Sequence, residues 1–501
     1  MNRIVAPVAQ SCAVLALTLA LASAASAAVI FPHVTNVNDT GAGSLRAAIT
    51  AANANGPDGA IISFDIGSGC GPHVIHLNTP LPDLTAEVHI EGYTQTGSSK
   101  NTSSNVFIDN AVICIVLAGD NNVADGLTVP ASVADSMEMS VLGVAFSGFT
   151  HAAVNLRGGS NHLFAGNRTG GHLSGFSIDT DSYGVIIAAG VHGVTVGGTD
   201  PGDVNQLADI THNAVYIDSS NASNPAAHGN TITYNRIGYV ADAAGNSVDL
   251  PTGGASMAIG GYANTITYNY APNSGASGLH ISNLDAHGNI VEYNDFAGSA
   301  GDGILIDDDA HDNTILGNGM FNNAGAGIRV VNGQNNDIVY NNIDYNIGIG
   351  IDLAEAGPTP NDNDSMQPAP DYANRGLNFP LLQSAAGAHT GTVTGMLTTI
   401  PGDYVINLYG TTNCSAGGFG GGQNYFAFPL TANGMGYKVT VPNLTAQGQG
   451  SVGFSIPVTL VINVHTPLYV TATTTDSAGN TSEFSSCFLY QNDSIFFNGF
   501  E

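Results

Sequence analysis

From residue 230 onward one short phrase keeps returning: Asn230-Thr-Ile-Thr-Tyr-Asn235, Asn264-Thr-Ile-Thr-Tyr-Asn269, Asn289-Ile-Val-Glu-Tyr-Asn294, Asn313-Thr-Ile-Leu-Gly-Asn318 and Asn336-Asp-Ile-Val-Tyr-Asn341. Its last three steps are 25, 24 and 23 residues. A second phrase, glycine followed by apolar-x-apolar, runs in phase through Gly278-Leu-His-Ile, Gly303-Ile-Leu-Ile, Gly327-Ile-Arg-Val and Gly348-Ile-Gly-Ile. Each unit holds two strands too short to bury an apolar face alone, so neighbouring units must stack to close a core. That is one coil of a solenoid with parallel strands. Asparagine at the corners suits it, because stacked amides hydrogen-bond from coil to coil. A leucine-rich horseshoe would need a leucine lattice and helices, and neither is visible.

Composition agrees. The 501 residues leave room for two or three domains, and 64 glycines with almost no helical heptads point to β structure. Only nine Lys and Arg oppose 39 Asp and Glu, a formal net charge of −30. Such a surface repels phosphate backbones and anionic membranes, which argues against nucleic-acid binding. Clustered carboxylates suit Ca²⁺ as well as they suit simple solubility.

The N-terminus reads as an address. Arg3, the apolar stretch Ala13 to Ala22 and the small-residue site Ala25-Ser26-Ala27 predict a signal peptide over 1–27, with no membrane span in the mature chain. The protein is therefore expected to be exported, extracellular or on the cell surface. Cys12 leaves with the signal, and Cys70, Cys114, Cys414 and Cys487 remain. An even count in an exported chain predicts two disulfides. Proximity suggests Cys70 with Cys114 and Cys414 with Cys487, while the other connectivities stay open.

Val34-Thr-Asn-Val-Asn-Asp-Thr-Gly-Ala-Gly-Ser-Leu-Arg-Ala-Ala-Ile-Thr-Ala-Ala-Asn53 predicts a strand, a glycine turn and a short helix with Ser44 as its N-cap. The run resembles the N-terminal cap of a large family of exported right-handed β-helix proteins, in which N-D-x-G-x-G-S-L-R-x-A-I precedes the coils. Pro80-Leu-Pro-Asp-Leu and Ile90-Glu-Gly-Tyr-Thr-Gln-Thr-Gly resemble its next coils, with Glu91 where the family has Asp and Thr96 where it has Pro. The resemblance spans about residues 34 to 383 and implies a fold; the same fold hosts lyases, hydrolases, adhesins and phage spikes.

The Pro-, Asn- and Asp-dense stretch from Gly357 to Leu382 ends the period and resembles the family's closing loop. Beyond it, alternating strands at 392–399, 404–409, 437–441, 453–456 and 468–475 predict an antiparallel sandwich, and Tyr469 to Phe484 resembles the last hairpin of bacterial Ig-like modules. Ser494 to Glu501 resembles a short terminal tail of exported bacterial proteins. The expected architecture is all-β: a right-handed parallel β-helix over 61–383 behind a cap over 28–60, then a smaller antiparallel Ig-like β-sandwich over 384–490 and a tail over 491–501.

Aligned on the second phrase, the inward columns are Val215/Ile217, Met257/Ile259, Leu279/Ile281, Ile304/Ile306, Ile328/Val330 and Ile349/Ile351. The outward positions place His280, Asp307, Arg329 and Asp352 on one strip, with Arg329 within reach of Asp307. As a catalytic set these offer carboxylates, a cation and an imidazole. The plainer reading, preferred here, is a solvated charge ladder that keeps sheet surfaces apart. No G-H-G, R-I-K or R-x-P-x-x-R motif of polygalacturonases or pectate lyases is present. Asp307, Asp308, Asp309 and Asp312 with His311, and Asp362, Asp364 and Asp371, are candidate Ca²⁺ ligands, set against turns that favour Asp for its backbone conformations. Tyr234, Tyr268, Tyr293 and Tyr340 predict an aromatic column, either shoulder packing or a sugar contact. Gly417 to Gly422 predicts a flexible hairpin loop, and no P-loop, zinc or dinucleotide motif stands in a convincing context. These features predict a non-catalytic adhesion, glycan-binding or scaffold protein whose partner is a polysaccharide or surface glycan, with no cofactor or with Ca²⁺. The alternative is a calcium-assisted polysaccharide lyase or glycoside hydrolase.

Overall fold

A computed structural model of the protein describes residues 28–492, apart from 57–58, 174–175, 180, 355, 363–371, 389, 415–416, 424–425, 428–435, 443–448 and 461–466. The expected signal peptide and residues 493–501 of the expected tail lie outside the described residues. Gln491 and Asn492, assigned to that tail, form a strand beside Ala386 and Gly387.

Three parallel sheets wind from coil to coil: one of 11 strands from His33–Val34 to Asp337–Val339, one of 13 ending at Ile351–Leu353, and a short third formed by Asp295–Ala297, Gly319–Phe321 and Asn342–Asp344. The first of these begins inside the expected cap, because His33 and Val34 pair in parallel with Ser63 and Phe64. The helix Leu45–Asn55 starts where the Ser44 hydroxyl accepts the Ala47 N–H at 3.2 Å. Its buried face, Leu45, Ala48, Ile49 and Ala52, joins the apolar column of the coils.

The inward columns form as the spacing predicts through five coils. Val215, Met257, Leu279, Ile304 and Ile328 stack in register, as do Ile217, Ile259, Ile281, Ile306 and Val330, and all are buried. Each such side chain contributes about 1.5–3 kcal/mol relative to exposure. The last coil departs from the expectation: Ile351 and Leu353, rather than Ile349 and Ile351, fill the columns. Gly350 takes the strand-opening place expected for Gly348, and its carbonyl accepts the Ile328 N–H. Gly350 lies 23 residues after Gly327, the same step as Asn318 to Asn341. The coil length set by the corners overrides the local glycine.

Those corners carry buried amide ladders. Asn230, Asn264, Asn289 and Asn313 each donate from side-chain Nδ2 to Oδ1 of the next, ending on Asn336, at 2.9–3.0 Å. A parallel ladder runs Asn205, Asn235, Asn269, Asn294, Asn318 and Asn341. The Oδ1 of Asn289 also accepts the Asn264 backbone N–H at 2.9 Å, and its Nδ2 reaches the Gly261 carbonyl at 2.9 Å. Every polar atom of such an amide is used, which is what allows it to be buried. A third ladder, Ser299 to Asn323 to Asn346, was not legible in the repeat phrase.

The C-terminal part forms two antiparallel sheets. Leu381–Gly387 already belongs to them, pairing with Thr390–Thr399, so the sandwich opens before the expected boundary at 384. Thr390–Thr399, Gly402–Thr411, Tyr437–Val441, Gly450–Leu460 and Tyr469–Asp476 correspond to the strands expected from sequence. Cys70–Cys114 and Cys414–Cys487 are bonded, with Cα separations of 5.1 and 6.4 Å.

This domain closes the last coil. Ile338 N–H is taken by Thr481 Oγ1 at 3.0 Å, Ile343 N–H by the Gly422 carbonyl at 2.8 Å, and Leu353 N–H by Glu483 Oε1 at 3.1 Å. Each of the three sheets thus loses its open edge. The glycine-rich run is therefore not a free loop: a Cβ on Gly421 would lie 1.9 Å from the Ile343 carbonyl oxygen, so only glycine allows this approach. Glu483 is buried at 2% exposure and also accepts the Thr359 N–H at 2.8 Å. Burial pushes its carboxyl up to about 7, against the two backbone donors.

Two outcomes are expected. Asn289→Ala strands the Asn264 backbone and side-chain donors at roughly 1–3 kcal/mol each, so hydrogen exchange at the Asn264 amide quickens, while amides several coils away keep their protection because each coil touches only its neighbours. Unchanged exchange at Asn264 would deny the ladder its role. Glu483 ionises at higher pH in the folded chain than unfolded, so between about 4.5 and about 7 the folded state holds a proton the unfolded state has lost. Stability therefore falls as pH rises through that window, and Glu483→Gln removes roughly 3 kcal/mol of the dependence. Denaturation midpoints of the two proteins at pH 5 and pH 8 measure it.

Candidate functional site

The charged strip sits on the 13-stranded sheet. In register, Ala258, His280, Leu305, Arg329 and Asp352 form one outward column, and Ser282 and Asp307 stand in the next. His280 Nε2 lies 2.8 Å from Asp307 Oδ1. Partial burial raises the Asp307 carboxyl, but the hydrogen bond and charge of His280, with Ser282, hold it below the usual carboxylate range. It is thus an ionised partner of the imidazole, unsuited to donating a proton.

Arg329 makes no ion pair with Asp307 among the described residues. The shifted last coil places Asp352 beside it instead, and its field acts on Asp302 and Asp352. Asp302, which the sequence did not single out, accepts the Ala326 N–H at 2.6 Å. Asp352 is buried and accepts the Gly357 N–H at 3.1 Å. Burial raises both carboxyls, and Arg329 opposes it. His280 and Asp307 are therefore brought together, and Asp352 is set apart under the closing segment.

The acidic turn does not converge. Asp308, Asp309 and Asp312 have φ of 49°, 65° and 54°, the left-handed conformation that Asp tolerates better than most residues. Asp308 accepts Ser282 Oγ at 3.2 Å, and Asp312 pairs with His311 at 2.7 Å. Asp362 is engaged through its backbone by Asn378, and Asp364 and Asp371 lie outside the described residues. Among the described residues no group of three or more His, Cys, Asp or Glu side chains is placed to hold a metal ion.

Rings form two columns along the coils. Tyr234, Tyr268 and Tyr293 stack at 4.9 and 5.2 Å between centroids, and Tyr268 and Tyr293 are 46% and 49% exposed. All three have φ near 55°, a costly conformation for a large side chain. Tyr340 does not extend this stack: Gly317 occupies the intervening coil, and the Tyr340 N–H donates to the Tyr409 hydroxyl in the domain junction. The second column, His192, His228, Tyr262, His287 and His311, has centroids 4.7–5.2 Å apart. Sequence reasoning missed it, although four of these rings stand two places before a corner asparagine.

At the N-terminal end of the tyrosine column lies a small cleft. Ser103, Ser104, Thr199, Tyr234, Arg236 and Tyr268 are among its lining residues. One wall is the segment around 99–112, pinned by buried charge. Asp109 receives Arg168 at 3.3 Å, Arg236 at 3.5 Å and a short hydrogen bond from Gln206, while Arg236 Nη2 also donates to the Asn105 and Ile108 carbonyls at 3.0 and 2.9 Å.

Residues 205–365 match the family model described as the right handed beta helix region. With the parallel sheets above, the chain is a right-handed parallel β-helix protein carrying a smaller antiparallel C-terminal domain. No curated protein matches it. Similar solved structures include the A-module of the mannuronan C-5 epimerase AlgE6 of Azotobacter vinelandii, at 13% identity, 68% of this chain and 83% of that one, and TM-score 0.41. The enzymatically active domain of tailspike protein 2 of bacteriophage CBA120 shares 8% identity over 92% of this chain and 76% of its own, at TM-score 0.39. A tailspike protein of the Acinetobacter baumannii bacteriophage Fri1, a capsular polysaccharide depolymerase, shares 10% identity over 88% and 86%, at TM-score 0.32. At such values these likenesses speak to neither substrate nor reaction. Among the described residues no helix is long and apolar enough to cross a membrane.

Proposed function

We propose that this is an exported β-helix rod that binds glycan chains along one flank without cleaving them. The observation that carries the reading is the exposed tyrosine column. Three phenol rings repeat at the coil spacing, and two of them, Tyr268 and Tyr293, are about half exposed. Each is held at a φ where glycine or asparagine would be cheaper, and a backbone cost kept on an exposed surface points to use. A row of amphipathic rings complements a linear polymer of sugar rings, which likewise alternate apolar faces and hydroxyls. The ionised Asp307 beside His280 fits a solvated ladder on the neighbouring sheet. In this reading residues 28–60 close one end of the rod, and the C-terminal domain, an Ig-like sandwich, closes the other and spaces the rod from the cell.

The test uses the mature protein and a panel of immobilised neutral and uronate polysaccharides. Retention is expected without unsaturated product or new reducing ends, with or without Ca²⁺. Tyr293→Gly relieves the φ cost and loses one stack, so stability changes within about 1 kcal/mol, while Tyr268→Gly with Tyr293→Gly lowers retention at least tenfold. Turnover that disappears in Asp307→Ala would instead establish the lyase or hydrolase reading. Retention indifferent to both tyrosines would remove the column from the argument.

A further inference from the structure

The third corner ladder, Ser299 to Asn323 to Asn346, continues toward the N-terminus as a column of corner residues that are not asparagine. In each coil the N–H after the corner donates to the corner carbonyl of the coil before: Ala300 to Ser274 at 2.8 Å, Gly275 to Thr252 at 2.7 Å, Gly253 to Ile210 at 2.7 Å, Thr211 to Asp181 at 3.0 Å and Ser182 to Phe149 at 3.1 Å. Asp181 is the one carboxyl in this column, and it is only 1% exposed.

Asp181 is placed over Phe149 as Asn323 is placed over Ser299. Ala324 N–H donates to the Ser299 carbonyl at 2.9 Å, as Ser182 N–H does to Phe149. Asn323 Oδ1 accepts the Ser299 N–H at 2.9 Å, and Asp181 Oδ1 accepts the Phe149 N–H at 2.8 Å. The two corners part at the remaining side-chain atom. Asn323 Nδ2 donates to the Phe296 carbonyl at 3.1 Å and to Asn346 Oδ1 at 2.9 Å, whereas Asp181 Oδ2 is buried and makes no hydrogen bond among the described residues.

An ionised oxygen sealed from water without a donor is costly, and an ionised carboxyl cannot donate as the amide does. A protonated carboxyl can, from the same position. Among the described residues the charged groups acting on Asp181 are Asp209 and Asp179, both of its own sign. Burial pushes its carboxyl up to about 8, the two aspartates push the same way, and the N–H groups of Phe149 and Gly148 oppose them.

We propose that Asp181 folds as a neutral carboxylic acid doing the work of a corner asparagine, its proton on Oδ2 serving as the donor that Asn323 supplies with Nδ2, and that deprotonation withdraws this donor and loosens the corner around Phe149. The coil is thereby latched by one proton.

The test uses the full mature chain carrying ¹³C-carboxyl-labelled aspartate, the Asp181 signal being identified by its absence from Asp181→Asn. At pH 7 that carbon is expected at the position of a protonated acid, moving to that of a carboxylate as pH rises through about 8. Between about 3.8 and about 8 the folded chain holds a proton that the unfolded chain has lost, so stability falls as pH rises through the window. Relative to Asp181→Asn, the folded-to-unfolded ratio of the unaltered chain in urea should drop at least about tenfold from pH 5 to pH 9, the titration of Glu483 cancelling because both proteins share it. Asp181→Ala also strands the Phe149 N–H and should be less stable than Asp181→Asn at every pH. A carboxylate signal at pH 7, or parallel stability profiles for the unaltered chain and Asp181→Asn, overturns the proposal. So does failure of Asp181→Asn to fold, since an amide must then be unable to replace the acid.

Discussion

The structure depends on the buried carboxamide at each coil corner. A chain that turns between short strands leaves backbone N–H groups at every corner with no strand partner, and burying them unmet costs roughly 1–3 kcal/mol each. The Oδ1 of Asn289 answers this by accepting both the backbone and the side-chain donor of Asn264, and the pattern repeats along the ladder. Because each amide must sit directly over the last, extra residues such as the hairpin of Tyr239–Ala241 with Ser247–Asp249 are looped out between corners and the corner register is kept. The register of the aliphatic columns and the spacing of everything on the outside follow from that constraint.

A ladder needs an ending. Asn336 donates its backbone N–H to Asn374, and Asn374 passes the contact to the Thr481 carbonyl in the C-terminal domain. That domain also places Phe484 and Tyr409 in the same apolar cluster as the coils. Gly422, Thr481 and Glu483 cover the exposed strand edges of the three sheets, which would otherwise be templates for further pairing. The C-terminal domain is thus part of the solenoid's folding problem as well as an appendage, and the buried carboxyl of Glu483 ties the quality of the seal to pH.

How much was legible in the sequence follows from what repeats. The Asn phrase and the glycine-apolar phrase are periodic, so coils, inward columns and two amide ladders could be read directly. The last coil departs from the glycine phrase because Gly348 is only a local cue, whereas the register with the coil before selects Gly350 as the strand opening. The histidine column was present in the same phase but hidden by its alternation with Tyr262, since a period is easier to see in one residue type than in a shared shape. Asp302 and Glu483 could not be found, because their positions arise from packing across the closing segment. The cluster of Asp109 with Arg168, Gln206 and Arg236 joins residues 59 to 97 or more apart, outside any period.

Repetition builds a rod and, by itself, a uniform surface; it offers the same rung many times and distinguishes none. Chemistry specific to one place appears where the repeat is broken. Gly198 and Gly317 end the tyrosine column on either side, and the 99–112 segment folds back over Arg236 only there. In a chain carrying a net charge of −30, two guanidinium groups buried around Asp109 at such a break are retained against both desolvation and composition. The end of the tyrosine column and the buried ion cluster lie side by side, and it is their coincidence, more than either alone, that separates this part of the rod from the rest.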